Sequence, residues 1–226
     1  GAGCLTIMDT VTSLAGIPVE VDAWGADATY SGTQKCISCP PGLSPVTFSP
    51  RAIEALKARK TKVQSWFLDL NLVLAYWGGD GGRSYHHTAP VNALYGLNEA
   101  LTMVEDEGLE KAWARHTQTH NSLRAGIEAM GLTFLVDPLN RLPQLNTVFI
   151  PDGLDDTATR GALLRDNGIE IGAGLGPFAG KIWRIGLMGE SSRINHVLVF
   201  LTALEKLMRA AGVKIPASGV EAAAAA

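Results

Sequence analysis

Three cysteines in 226 residues, an odd number at low density, exclude a disulfide framework and point to a reducing compartment, so a cytoplasmic location is expected. No apolar run approaches the roughly 20 residues that a bilayer-crossing helix needs, and no membrane span is expected. Neither sign of charge dominates. Nineteen Lys and Arg stand against 22 Asp and Glu, which gives no electrostatic reason to expect a nucleic-acid partner. An initiator Met and a basic n-region are missing from Gly1-Ala2-Gly3-Cys4, and an apolar run begins at once in Cys4-Leu5-Thr6-Ile7-Met8, as though the chain were entered mid-domain. No internal repeat is visible. What is present is a globular composition, 46% hydrophobic, long enough for one large core or for a core with a smaller lobe.

Short strand-like runs alternate with helical ones. Leu5–Met8, Val19–Asp22, Ala28–Tyr30 and Ser44–Phe48 read as strands. Ser49-Pro50 opens a helix to about Lys60, since Ser caps well and Pro is tolerated in the first turn. Val91–Glu107 and Leu109–Met130 carry apolar residues three and four apart, with Gly108 between them and Gly131 after. Leu132–Val136, Thr147–Ile150, Ile169–Ile171 and Ile182–Leu187 read as strands. Asp155-Asp156 starts a helix ending near Asn167-Gly168, and a last helix from Ser191-Ser192 places Ile194, Val197, Leu198, Leu201, Leu204 and Met208 on one face before Gly212. The class is therefore α/β or α+β. Residues 1–107 read as the end of a larger open sheet, 108–215 as a compact α+β lobe, and 216–226, with its alanine run, as a disordered tail.

The segment Ala26–Ser44 is the richest in chemistry. Lys35 sits in a turn of small and polar residues after a short strand. Ser31, Gly32, Thr33 and Gln34 let backbone approach a ligand closely, and Pro40-Pro41-Gly42 fixes the exit. Upstream, Asp9 stands at the C-terminal end of an apolar strand, where open α/β sheets present ligands. Other features read as structural. Cys36 and Cys39 form a lone C-x-x-C with no second pair and read as packing residues near the site. His116 and His120 continue a stripe with Leu109 and Trp113 and lack the Glu of a zincin motif, so they read as packing residues, with no metal expected. Pro177 interrupts Gly172-Ala173-Gly174-Leu175-Gly176 where a dinucleotide loop needs glycine. Trp66, Trp77 and Trp113 read as core or interface.

Four blocks in order, MDTVTSLAGIPVEVDAWGAD, YSGTQK with PPGLS, RSYHHTAPV and GLGPFAGKIWRIGLMG, resemble the fold-type I aminotransferases of class V, in particular the alanine–glyoxylate/serine–pyruvate aminotransferases. The resemblance implies the end of a large-domain mixed sheet plus a smaller C-terminal domain. It implies pyridoxal 5'-phosphate as cofactor, with Lys35 forming the Schiff base and carrying the proton. It further implies that Asp9 pairs with the pyridine nitrogen, that Val11, pointing the same way along the strand, packs on the ring, and that Gln34 contacts the phosphate. Tyr85 and Thr88 would reach the phosphate across a homodimer interface. Arg184 would bind the α-carboxylate of a small amino acid or 2-oxo acid. The family's glycine-rich phosphate cup and second ring-stacking aromatic are not found, so the chain is expected to be N-terminally incomplete. The alternatives are a 2-aminoethylphosphonate or ureidoglycine aminotransferase, a cysteine desulfurase, or a non-catalytic remnant that keeps the dimer surface.

Overall fold

A computed structural model describes residues 3–78, 82 and 84–226. Gly79, Asp80 and Gly81 of the expected glycine-rich turn, Arg83 of RSYHHTAPV, and Gly1 and Ala2 lie outside the described residues. The chain is a mixed α/β structure with two small sheets. β1 (Ile7–Asp9), β2 (Ala28–Tyr30) and β3 (Val46–Phe48) pair in that order, β1 parallel to β2 and β3 antiparallel to it. The parallel register sets Asp9 opposite Tyr30, so both side chains leave the sheet at the same end. Asp27 pins the other end. Its carboxylate accepts Thr6 N–H at 2.8 Å and Ser49 Oγ–H at 3.0 Å and pairs with Arg51.

Helices α1 (Pro50–Lys57) and α2 (Leu70–Gly78) follow, then α3 (Val91–Glu107) and α4 (Leu109–Ala129). Ser49 caps α1 by accepting Ala52 N–H, with Pro50 in the first turn. Gly108, at φ +84, breaks the helical path between α3 and α4.

The second sheet has β6 (Ile182–Gly186) at its centre, flanked antiparallel by β4 (Leu145–Phe149) and β5 (Gly172–Ala173). Strand alternation gives β6 two faces, with Ile182 at its start buried as well. Trp183, Ile185 and Leu187 are buried with Val148 against Leu123 and Ile127 of α4 and Leu201, Leu204 and Met208 of α6 (Ile194–Ala210). Each such side chain contributes about 1.5–3 kcal/mol by burial. Arg184 and Gly186 occupy the opposite face. α5 (Asp156–Asn167) starts where Asp155 accepts Ala158 N–H and ends at Gly168 in the left-handed conformation.

Several sequence expectations shift. Val19–Asp22 alternates like a strand but is no strand, because Trp24 N–H bonds Glu20 O, Ala26 N–H bonds Val21 O and Gly25 takes φ +67, closing a local turn. Ile169–Ile171 is spent on closing α5, with Ile169 N–H on Leu163 O, and the β5 pairing starts only at Gly172. Of Leu132–Val136, Phe134 alone bridges to Val148. The expected disordered tail is instead α7 (Gly219–Ala225). Glu205 Oε1 accepts Gly219 N–H and Val220 N–H at its start, Ser122 Oγ–H donates to Ala223 O, and Ala223 is buried. A run of alanine is an excellent helix former once a packing surface is supplied. Trp66 and Trp77 are 57% and 68% exposed and belong to no core of this chain.

Candidate functional site

Asp9 ends β1 with both carboxylate oxygens engaged. Oδ1 accepts Val11 N–H and Oδ2 accepts the Tyr30 hydroxyl, each at 2.8 Å. Two fixed donors set the plane of the carboxylate and leave each oxygen a further lone pair. The bond to Asp9, with burial adding to it, raises the Tyr30 hydroxyl above its ordinary value, so it stays a proton donor. The strand does not continue through Val11. Ser13 and Leu14 N–H bond back to Thr10 O, which bends the chain into a turn, and the bond from Val11 N–H to Asp9 is what orients Val11. The expectation that Val11 lies two positions further along the same strand face is corrected accordingly.

The Lys35 loop is tied to that turn by two side chains. Ser31 Oγ–H donates to Thr10 O at 3.0 Å, and Cys36 Sγ–H to Thr12 O at 3.3 Å. Thr33, fully buried, donates to the carbonyls of Pro40 or Leu43 and holds the two ends of the loop together. Gln34 folds back so closely that a Cβ on Gly32 would lie 2.8 Å from its Oε1. Cys36 and Cys39 are free, buried thiols in a small core with Ala15, Ile37 and Ala100. Burial pushes the Cys36 thiol up to about 11.

Gln34 and Lys35 open on a cavity of about 430 Å³ whose other walls are Ser38, Cys39, Gly186, Met188, Glu190 and Ser191. Lys35 Nζ forms no hydrogen bond or ion pair among the described residues. Gly186 brings the Arg184 face of β6 to this cavity. Arg184 Nε–H donates to Ala173 O at 2.7 Å, and its guanidinium lies over Gly172, where a Cβ would stand 3.2 Å from Nη2. The terminal amino groups of Arg184 have no acceptor among the described residues, so a planar two-pronged donor is held by its inner nitrogen and free at its tip.

Tyr85 and Thr88 are brought together, Oη to Oγ1 at 2.6 Å, but nothing among the described residues joins them to the Lys35 cavity. Their loop is held by His86, whose ring stacks on Trp66 at 4.0 Å between centroids and bonds Trp66 O and His87 Nδ1. His116 and His120 are buried and hydrogen-bonded, as their stripe predicted. Tyr30, Ser38 and Glu190 went unassigned in the sequence. Tyr30 had a signal, its place at the head of YSGTQK opposite Asp9, whereas Ser38 and Glu190 meet only through the fold.

The family model described as aminotransferase class-V matches residues 1–183. Alanine–glyoxylate aminotransferase of Callithrix jacchus is 41% identical over 208 residues, covering 91% of this chain and 50% of that protein. A crystal structure of alanine–glyoxylate aminotransferase from Nostoc sp. superposes with a TM-score of 0.88 at 50% identity, over 92% of this chain and 54% of that one. Ureidoglycine–glyoxylate aminotransferase from Bacillus subtilis gives 0.92 at 40% identity, over 98% and 57%. The chain spans about half the length of the curated relatives it matches.

Proposed function

The chain belongs to the class-V aminotransferases, and on that premise we propose that it forms part of a pyridoxal-phosphate-dependent transaminase moving an amino group from a small amino acid, alanine or serine, to a 2-oxo acid such as glyoxylate or pyruvate. One observation carries the proposal. Lys35, whose Nζ is unpaired, lines a cavity that also takes in Gly186, on the strand that presents the unpaired tip of Arg184. An amine on the cavity wall and a carboxylate-matching guanidinium two residues along the adjoining strand suit a 2-amino acid.

The residues present fit the cofactor. A carboxylate clamped by two donors at a strand end suits a protonated ring nitrogen, and the Gln34 amide and Lys35 line one cavity of about 430 Å³, room enough for a phosphate-bearing ring. Bound there, pyridoxal phosphate supplies a conjugated ring that accepts the electron pair left at the substrate Cα. Lys35 Nζ would take the proton released from Cα and return it. Asp9 holds a proton at the ring nitrogen, and Val11 covers the ring beside it. Gln34 holds the phosphate from within the chain, and Tyr85 and Thr88 from the second subunit of a homodimer. Arg184 would hold the substrate carboxylate.

Residues 1–107 then complete the cofactor-binding domain and 108–215 form the small domain, with α7 packed onto it. No helix among the described residues is long and apolar enough to cross a membrane, and the three free cysteines suit a cytoplasmic enzyme. A desulfurase needs a nucleophilic thiol, which the buried Cys36 does not supply. The likeness to the Bacillus subtilis enzyme favours ureidoglycine as the second donor to test. Full-length protein incubated with alanine, serine or ureidoglycine and glyoxylate should form glycine. No glycine from any of the three donors would remove the reading.

A further inference from the structure

A single turn of helix, Gly189–Ser191, follows β6 and walls the Lys35 cavity. It is gripped from two sides. From α4, His116 Nε2 accepts Gly189 N–H at 2.9 Å. Arg115 Nη1 donates to the carbonyls of Gly189 and Ser192 at 2.7 and 3.1 Å. Arg115 is itself held in a fork by Glu107, at 2.5 and 2.7 Å. From the Lys35 loop, Ser38 Oγ accepts Glu190 N–H at 2.8 Å. The approach leaves no room for a side chain. A Cβ on Gly189 would overlap Ser38 Oγ and stand 2.8 Å from Cys36 O, and the backbone there is at φ +54.

His116 is fully buried, and its Nδ1 lies 2.6 Å from Ala112 O. Nδ1 therefore carries the hydrogen, and Nε2 offers the lone pair that Gly189 N–H needs. Only the neutral ring in this one tautomer fits, since a second hydrogen on Nε2 would face another donor. Burial, with the charge of Arg115 acting the same way, lowers the readiness of the ring to take that hydrogen below that of an ordinary histidine.

We propose that His116, braced by Arg115 and Glu107, is a positioning residue that holds the Gly189 turn between the Lys35 loop and the Arg184 strand and so fixes the separation of Lys35 from Arg184. The proposal rests on the transaminase reading. Its physical basis is that Ser38 sits three residues after Lys35, while Gly189 ends the stretch that begins at Arg184, so any slack in the turn moves the two reacting ends relative to each other. Displacement of about 1 Å in such a pair costs on the order of 100-fold in rate.

The test uses full-length holoenzyme carrying His116→Leu, which removes the acceptor, and His116→Gln, which restores a carbonyl acceptor to the same place. Amide hydrogen exchange is read on peptides spanning 34–39 and 187–192, beside KM and cofactor content. His116→Leu should speed exchange in both peptides and raise the KM for amino acid and 2-oxo acid on the order of 10-fold or more with cofactor content kept. His116→Gln should reverse all three changes. Should the Leu variant fail to fold, Ser38→Ala loosens the turn from its other side and should give the same paired change in exchange. Exchange in 187–192 that rises alone, with 34–39 and KM at wild-type values, would overturn the proposal, as would a Gln variant no better than Leu. Exchange is measured whether or not the protein transaminates, so absent turnover in the wild type counts against the transaminase reading alone.

Discussion

Arg184→Lys removes a fork and keeps a charge, which makes it the sharpest probe of the substrate side of the site. In the structure Nε–H is committed to Ala173 O, and Gly172 beneath the guanidinium leaves room for its plane, so the two terminal amino groups of the rigid fork are held together. Lysine has one ammonium and a flexible stem. It retains one charge-assisted hydrogen bond to a carboxylate and loses the second, along with the bond that orients the group. A hydrogen bond to a charged partner contributes about 1.5–3 kcal/mol, so KM should rise roughly 10- to 150-fold. If the proposed transamination runs through the same carboxylate site in both halves, the KM for amino acid and the KM for 2-oxo acid should rise together. Cofactor affinity, measured by fluorescence or absorbance titration of the apoenzyme, should change little, since Asp9, Gln34 and Lys35 lie on other elements. Steady-state kinetics of the full-length variant decide the matter. A KM unchanged for both substrates, or a loss of cofactor affinity as large as the rise in KM, would take Arg184 out of the carboxylate site.

Mixing a Lys35→Ala chain with a Tyr85→Phe/Thr88→Ala chain should return activity, because a hybrid dimer has one site with both defects and one with neither. Random assembly gives up to about a quarter of wild-type activity, and hybrid dimers without activity would show that the phosphate contacts are made within one chain. Gly16→Ala should destabilise the protein strongly, by about 2–4 kcal/mol in denaturant unfolding. A Cβ there would overlap the fully buried Gln144 side chain and lie 2.8 Å from Cys36 Sγ, so wild-type stability would contradict the packing described. His116 and His120 are both pushed below the ordinary value of 6.5, mainly by burial, so the unfolded chain binds protons that the folded one refuses. Stability should therefore fall as pH drops below about 6.5, before the carboxylates protonate, and His120→Gln should shallow that slope. A slope unchanged by the substitution would show that His120 does not take part.

The sequence was most informative where the physics is local. Ser49-Pro50, Asp155-Asp156 and Gly168 named helix ends because capping needs only neighbouring residues. Lys35 and Asp9 stood out by place, a lysine in a loop of small residues and an acid at the end of an apolar strand, and Arg184 because a charge inside a strand is costly unless paired. It was least informative where partners are distant. The alternation in Val19–Asp22 is spent on a turn that only the backbone bonds reveal. The alanine tail is helical because Glu205 and Ser122, far back in the chain, supply its cap and its anchor. The grip of His116 on Gly189 joins residues 73 positions apart, and no spacing rule reaches that far.

The central claim is that Lys35 holds the cofactor. Full-length protein reconstituted with pyridoxal phosphate, reduced with borohydride and digested, should yield the pyridoxyl group on the peptide containing Gln34-Lys35-Cys36, and Lys35→Ala should yield none there and show no turnover. A pyridoxyl group on Lys57, Lys60 or Lys181, with Lys35 unmodified, would contradict the account.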